Sequence, residues 1–292
     1  MKRKLPQPFP VLSEKTIIAR INKSKENKLN TTKENKTEGI TWLQGAKDYL
    51  TIAKKSTKIS KIAALHNWCI SSEKILKSFG LFAGSITPSD IKHHVGHNTP
   101  KVIIKMMDKY GDSILIANVL NQQMISHFGE LSNYLQKRDK RSRKFFYHND
   151  IRNIPNDMLS ELIAFCNKPD SEIKKEFSVK QLIEDMKENS HKIKMFDIVN
   201  SRLSNITNES KEKIFQTVLD VIPLEQILAY PRLMIISMIS SSFFEPSRYP
   251  EDYHEYFETE PNVLELLNSL FSASEKLISA CEKISEKVEV TK

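Results

Sequence analysis

Apolar residues recur at intervals of three and four along most of this chain, a period that predicts helices rather than strands. At about 100° per residue, Ile62, Leu65, Cys69, Leu76 and Phe79 share one face of a helix over 58–80, with Trp68 and Ile75 at its edge. Trp42, Ala46, Tyr49, Leu50 and Ala53 form an earlier stripe, and Gly80 stands where a helix would stop. Thr87-Pro88-Ser89-Asp90 then combines a proline at the first helical position with capping-box spacing. Asn98-Thr99-Pro100 repeats that start signal before VIIKMMDKYG, which Gly111 ends. Further helical patterns cover about 112–137, 155–166, 171–202, 208–222 and 224–244, with Pro231 bending the last. Pro261 opens a final long helix bearing Val263, Leu267, Leu270, Phe271, Leu277, Ile278, Cys281 and Ile284. No Asn-Gly or Asp-Gly turn separates alternating runs, and no internal repeat is evident. The expected fold is therefore all-α, a helical bundle forming one domain over residues 39–292. Residues 1–38, which include the aperiodic KSKENKLNTTKENKTE, are expected as a flexible basic arm that could dock through Val11, Ile17, Ile18 and Ile21.

Composition narrows this picture. The 292 residues suffice for a substantial core, and only seven are glycine, with no phosphate-cradling glycine-rich loop. A nucleotide-binding α/β fold is thereby disfavoured. Three cysteines, Cys69, Cys166 and Cys281, sit far apart within apolar patterns and read as reduced core residues. No secretory signal follows the start MKRKLPQPFP, and the longest apolar run, 233–244, is too short and serine-rich to span a bilayer. A cytoplasmic protein without membrane contact is expected. The net charge of +8 is uneven: from Glu245 onward the chain carries about −6, leaving about +14 on the rest. Either the basic part meets an anionic partner, or the acidic end folds against the basic body.

Four groups of residues could carry chemistry. His66, Glu73 and Lys77 flank the apolar stripe of the second helix, either as a solvated shoulder or as lining of a cleft; Glu73 and Lys77 have the favourable i,i+4 order. Lys137, Arg138, Lys140, Arg141, Arg143 and Lys144 form the densest basic block, followed at once by Phe145, Phe146, Tyr147 and His148. Such a block can neutralise phosphates while the rings stack unpaired bases, so Lys137, Arg138, Lys140, Arg141, Lys144, Phe145 and Tyr147 are candidate RNA-binding residues. Arg143 and His148 in one pocket could cleave RNA without metal, the imidazole taking a 2′-hydroxyl proton and the guanidinium steadying the phosphate. The alternative is a solvated helix end whose aromatics return to the core. Arg248 and His254 in SRYPEDYHEYF form a second pair, although Glu251 and Asp252 make the local field hostile to phosphate and a rigid turn accounts for the sequence. Asp90, His93 and His97 could share a face and hold a metal, but Gly96 and Asn98 mark a helix end where histidines suit the dipole. No metal or other cofactor is therefore expected. No serine or cysteine sits in a nucleophile elbow.

Residues 42–80 bring a family into view. Ala46-Lys47-Asp48-Tyr49-Leu50 in an alanine-rich first helix and Glu73-Lys74-Ile75-Leu76-Lys77 in the second resemble the opening helices of HEPN-superfamily domains. Ser247-Arg248-Tyr249-Pro250-Glu251-Asp252 before a last long helix looks like the Arg-Tyr-Pro turn of many such domains. With added or lengthened helices over about 112–244, the layout is closest to abortive-infection proteins of the AbiV type. The resemblance implies a helical bundle, a homodimer and a place in RNA-centred defence or stress systems. Catalytic members use an arginine, a polar residue and then a histidine; Arg143 is followed by lysine and Arg248 by tyrosine, so both pairs depart from the pattern. The expected function is RNA or nucleotide engagement, with metal-independent endoribonuclease activity as its enzymatic form. The alternative is a non-catalytic helical adaptor or antitoxin-like module that meets a protein partner.

Overall fold

The computed structural model describes residues 31–97, 156–172, 232–237 and 263–288, together with isolated positions that include 102, 103, 105, 229, 239–241, 243, 247 and 290–291. These residues are predominantly helical, an all-α fold as the periodicity predicts. Four helices of at least three turns lie among them: α1 (Lys33–Ser56), α2 (Lys61–Phe82), α3 (Asn156–Asn167) and α4 (Val263–Lys287). Helix α1 begins at Lys33, ahead of the Gly39 start expected from sequence, because Thr32 caps it by accepting from the Asn35 amide. Residues 33–38, expected within the arm, are thus the opening turns of α1. Just before that cap, β1 (Thr31–Thr32) makes a short parallel bridge with β2 (Val290–Thr291), tying the start of α1 to the end of α4.

Helices α1 and α2 form an antiparallel hairpin. Ser60 caps α2 by accepting from the Ala63 amide. Small residues recur every seven positions on both helices: Gly39, Ala46 and Ala53 on α1, and Ala64, Ser71 and Ser78 on α2. All six are buried, Gly39 beneath the Phe82 ring. The small side chains let the backbones approach closely enough for direct hydroxyl bonds across the seam. Ser71 Oγ donates to the Ala46 carbonyl at 2.7 Å and Ser78 Oγ to the Gly39 carbonyl at 2.8 Å. A Cβ on Gly39 would lie 2.6 Å from Phe82 Cε1, so the hairpin requires a glycine there. Gly39→Ala is expected to destabilise the chain by about 1–3 kcal/mol through overpacking, despite a helix-propensity gain of about 1 kcal/mol. A lowered urea midpoint with an unchanged slope checks this.

The end of α2 corrects one expectation. Gly80 does not stop the helix, which continues to Phe82; its missing side chain instead admits Ile86 and Val102, either of which would sit 2.8 Å from a Cβ. The stop falls at Gly84, whose φ of 60° reverses the chain. Thr87 and Asp90 then form the capping box expected from sequence, and Asp90 also binds Lys105 Nζ at 2.7 Å. The Lys105 ammonium holds the Asp90 carboxyl below its ordinary range. A π-helical turn, Ile91–Val95, follows and ends at Gly96 with φ 54°.

Helix α4 covers the hairpin and α3 packs on α4. The buried face of α4 contains every apolar position expected from its periodicity, with Ala273 and Ser274 added. Trp68 of α2 is fully buried where the layers meet; its Nε1 donates to Ser274 Oγ at 3.0 Å and its ring meets Phe243 edge-on. Among the described residues no helix is long and apolar enough to cross a membrane.

Candidate functional site

Helix α2 is enclosed over its second half, which changes the meaning of its polar flank. Glu73 and Lys77 are not a solvated shoulder: their side chains are 7% and 4% exposed, and Lys77 Nζ lies 2.5 Å from Glu73 Oε1. The other carboxylate oxygen, Oε2, lies 3.0 Å from His97 Nδ1. That histidine is 68% exposed, so a buried anion holds a surface imidazole by one ring nitrogen. Gly96 makes the meeting possible. A Cβ there would touch nothing, so the left-handed φ alone asks for glycine, and the reversal returns residue 97 to α2.

Helix α1 closes the other side of the cluster. Trp42 Nε1 donates to Glu38 Oε1 at 3.1 Å, and its ring receives the ammonium groups of both Lys74 and Lys77, each 4.5 Å from the centroid. Lys74 also lies 5.3 Å from the Tyr49 ring. Gly45 leaves room for the Lys74 stem to cross between the helices. Trp42 and Tyr49 thus stand at the edge of the α1 stripe, not in its buried centre, and work as cation platforms. The two strings that carry the family resemblance face each other here, with Tyr49 of the first against Lys74 of the second.

His66 does not join Glu73. Its Nδ1 lies 3.2 Å from Ser247 Oγ, and the same serine hydroxyl bonds Cys69, which also donates to the Ser240 carbonyl at 3.6 Å. Burial pushes the Cys69 and Cys281 thiols far up and the Cys166 thiol to about 12, so all three are buried, unbridged core thiols, as their apolar settings predict. Asp90 is occupied by its cap and by Lys105, and His93 and His94 lie on the exposed side of the π-helical turn. No cluster of three or more metal-ligating side chains occurs among the described residues.

The acidic end of the chain pairs in part with the basic body. Glu282 of α4 lies 2.5 Å from Lys47 Nζ of α1, Glu275 pairs with Lys54, and Lys36 donates to the Val288 carbonyl at 3.2 Å. Arg143, His148, Arg248 and His254 lie outside the described residues, as do Lys137, Arg138, Lys140, Arg141, Lys144, Phe145 and Tyr147.

Two groups escape a reading of the sequence. The His97–Glu73 contact spans 24 positions and depends on the Gly96 reversal, so only a positive-φ glycine before a histidine signals it. Arg232 is buried and organises the end of α3, donating to the Cys166 and Lys168 carbonyls and to Asp170. Its signal is a lone arginine within the apolar stretch 229–239.

Comparison with protein-family models, with curated proteins and with solved structures finds no match for this chain.

Proposed function

We propose that this chain engages RNA as a HEPN-like helical protein of a defence or stress system, and that metal-independent cleavage of RNA is its reaction. The observation that carries the reading is the environment of Glu73. This residue belongs to the Glu-Lys-x-Leu-Lys string, and it is buried between an ammonium and a surface imidazole instead of facing water. A buried carboxylate aimed at an exposed histidine is a costly arrangement for a helix hairpin and a useful one for proton transfer. The surplus of about +14 outside the acidic end, with its basic–aromatic block, supplies the attraction that a single-stranded polyanion needs. The pairing of Glu275 and Glu282 with α1 lysines weighs against an acidic face kept for a protein partner.

Retardation of single-stranded RNA by the full chain tests the binding. Affinity is expected to fall steeply with salt. Replacing Arg141, Arg143 and Lys144 with alanine should flatten the salt slope by about 2, at about 0.7 for each phosphate that is no longer neutralised. Cleavage in the presence of EDTA should leave 2′,3′-cyclic phosphate ends. No retardation at near-physiological salt, with stable co-purification of a protein, overturns the reading in favour of an adaptor. Full cleavage by both His148→Ala and His254→Ala removes those two histidines from the reaction.

A further inference from the structure

We infer that a cleft between α1 and α4 binds a free α-amino acid with an apolar side chain, its carboxylate on Lys54 and its ammonium on Glu275; the inference is independent of the RNA reading above. The cleft is a cavity of about 290 Å³, lined by Lys54 from the last turn of α1 and by Asn268, Phe271, Ser272 and Glu275 from α4. The four α4 residues fall at helical spacing, on one strip at the margin of the buried face. Phe271 belongs to that buried face and gives the cleft an apolar floor. Asn268 and Ser272 add an amide and a hydroxyl that no other described residue engages.

Charge decides the class of ligand. Lys54 and Glu275 come from opposite walls and pair through one carboxylate oxygen, Oε1, which leaves Oε2 for a second donor. An anion drawn to Lys54 meets the Glu275 carboxylate, and a cation drawn to Glu275 meets the Lys54 ammonium, so neither a phosphate nor a simple amine suits the cleft. A molecule that carries both signs satisfies both walls and exchanges one ion pair for two. An α-amino acid holds its ammonium and carboxylate on one carbon, close enough together to enter between side chains that already touch. Both side chains are long, unbranched and partly exposed, so they can draw apart without moving either helix. The Asn268 amide can then donate to the ligand carboxylate and Ser272 Oγ accept from its ammonium, while an aliphatic side chain covers the Phe271 ring.

An amide-detected NMR titration of the full chain with L-leucine and with L-methionine provides the test. Binding is expected with a dissociation constant of about 1 mM or below, within reach of a ligand of so few atoms, and with shifts concentrated over 268–275 and the end of α1. Lys54→Met and Glu275→Gln should each weaken binding at least about 10-fold, the loss of one hydrogen-bonded charge. Both variants should fold, because the pair is partly exposed. Leucinamide, which lacks the carboxylate, should bind the natural chain at least about 10-fold more weakly than leucine. In Lys54→Met it should bind at least as well as leucine, because the group that favours a carboxylate is gone. Lys47→Met, which breaks the neighbouring pair with Glu282, should leave leucine binding unchanged. Absence of shifts with both amino acids at concentrations about tenfold above the expected constant overturns the inference. Undiminished binding by Lys54→Met and Glu275→Gln overturns it by placing the ligand elsewhere. Equal weakening by Lys47→Met overturns it by showing a general loosening of α4 on α1. Each of these results leaves the RNA reading standing.

Discussion

Lys77→Met destabilises the folded chain by about 3–5 kcal/mol, a shift large enough to read as a clear drop in the urea midpoint. The reason is what the substitution leaves behind. Glu73 is 7% exposed, and without Lys77 its carboxylate keeps only the His97 contact against the full desolvation penalty of a buried anion. Glu73→Gln has the converse effect, leaving an ammonium buried against Trp42 without its anion, at a similar cost. The double variant Glu73→Gln/Lys77→Met removes both charges at once and should return to within about 1–2 kcal/mol of the natural chain. The resulting coupling of several kcal/mol is the signature of a buried pair. The α1–α4 pairs supply the control. Lys47–Glu282 and Lys54–Glu275 are each between a third and three-fifths exposed, and breaking either should cost no more than about 1 kcal/mol. Equal effects at buried and exposed pairs would show that Lys77 acts through its packing alone.

How far the chain can be read without its structure is clearest on α2. The apolar stripe named from periodicity is buried as expected, and so is every apolar position named on α4. Periodicity assumes one buried face, however, and α2 has α1 on one side and α4 on another, so residues on its polar flank are enclosed as well. That is why Glu73 and Lys77 look like a shoulder in the sequence and are an interior ion pair in the fold. The glycine at position 80 misleads for a related reason. A glycine near the end of an apolar run signals a stop when it lies at positive φ, but inside a crowded helix it signals a neighbour pressed against the backbone, here Ile86 and Val102. The heptad of small residues that sets the α1–α2 hairpin is legible in the spacing of Gly39, Ala46 and Ala53 against Ala64, Ser71 and Ser78. Reading it requires looking for small side chains at regular intervals, whereas amphipathic analysis looks for large ones. The site is less legible. Its central contact joins a helix interior to a residue beyond a π-helical turn, and no local pattern encodes that pairing.

Arg232→Met should be as damaging as the loss of Lys77, and for a different reason. Helix α3 ends at Asn167 with carbonyls that have no partners inside the helix, and side chains from the surrounding structure meet them. Arg232 Nε donates to the Cys166 carbonyl at 3.1 Å, Nη2 to the Lys168 carbonyl at 2.6 Å and Nη1 to Asp170 at 2.6 Å. Lys276 of α4 donates to the Asn167 carbonyl, and the Asn167 side chain ties back to Ile163 and across to Ser269. Two cations thus sit on one helix C-terminus, where the dipole favours them. They crowd each other in doing so: burial and the nearby guanidinium both push the Lys276 ammonium below its ordinary range. Removing the guanidinium strands the buried Cys166 carbonyl and leaves the Lys168 carbonyl only a long bond from Lys276 Nζ at 3.4 Å, so a total loss of about 3 kcal/mol is expected. Arg232→Lys should recover only part of it, because a point ammonium cannot span acceptors that a planar fork meets in three directions. Asp170→Asn should cost less than about 1 kcal/mol, since that carboxylate is half exposed and the two carbonyl bonds survive. Amide hydrogen exchange locates the damage. In Arg232→Met the protection of α3 should fall before that of the α1–α2 hairpin, because the arginine is the clamp on α3 while the hairpin is held by its own seam. Uniform loss across all helices would mean that α3 and the hairpin unfold as one unit, and that the clamp stabilises the whole bundle and not one end of a helix.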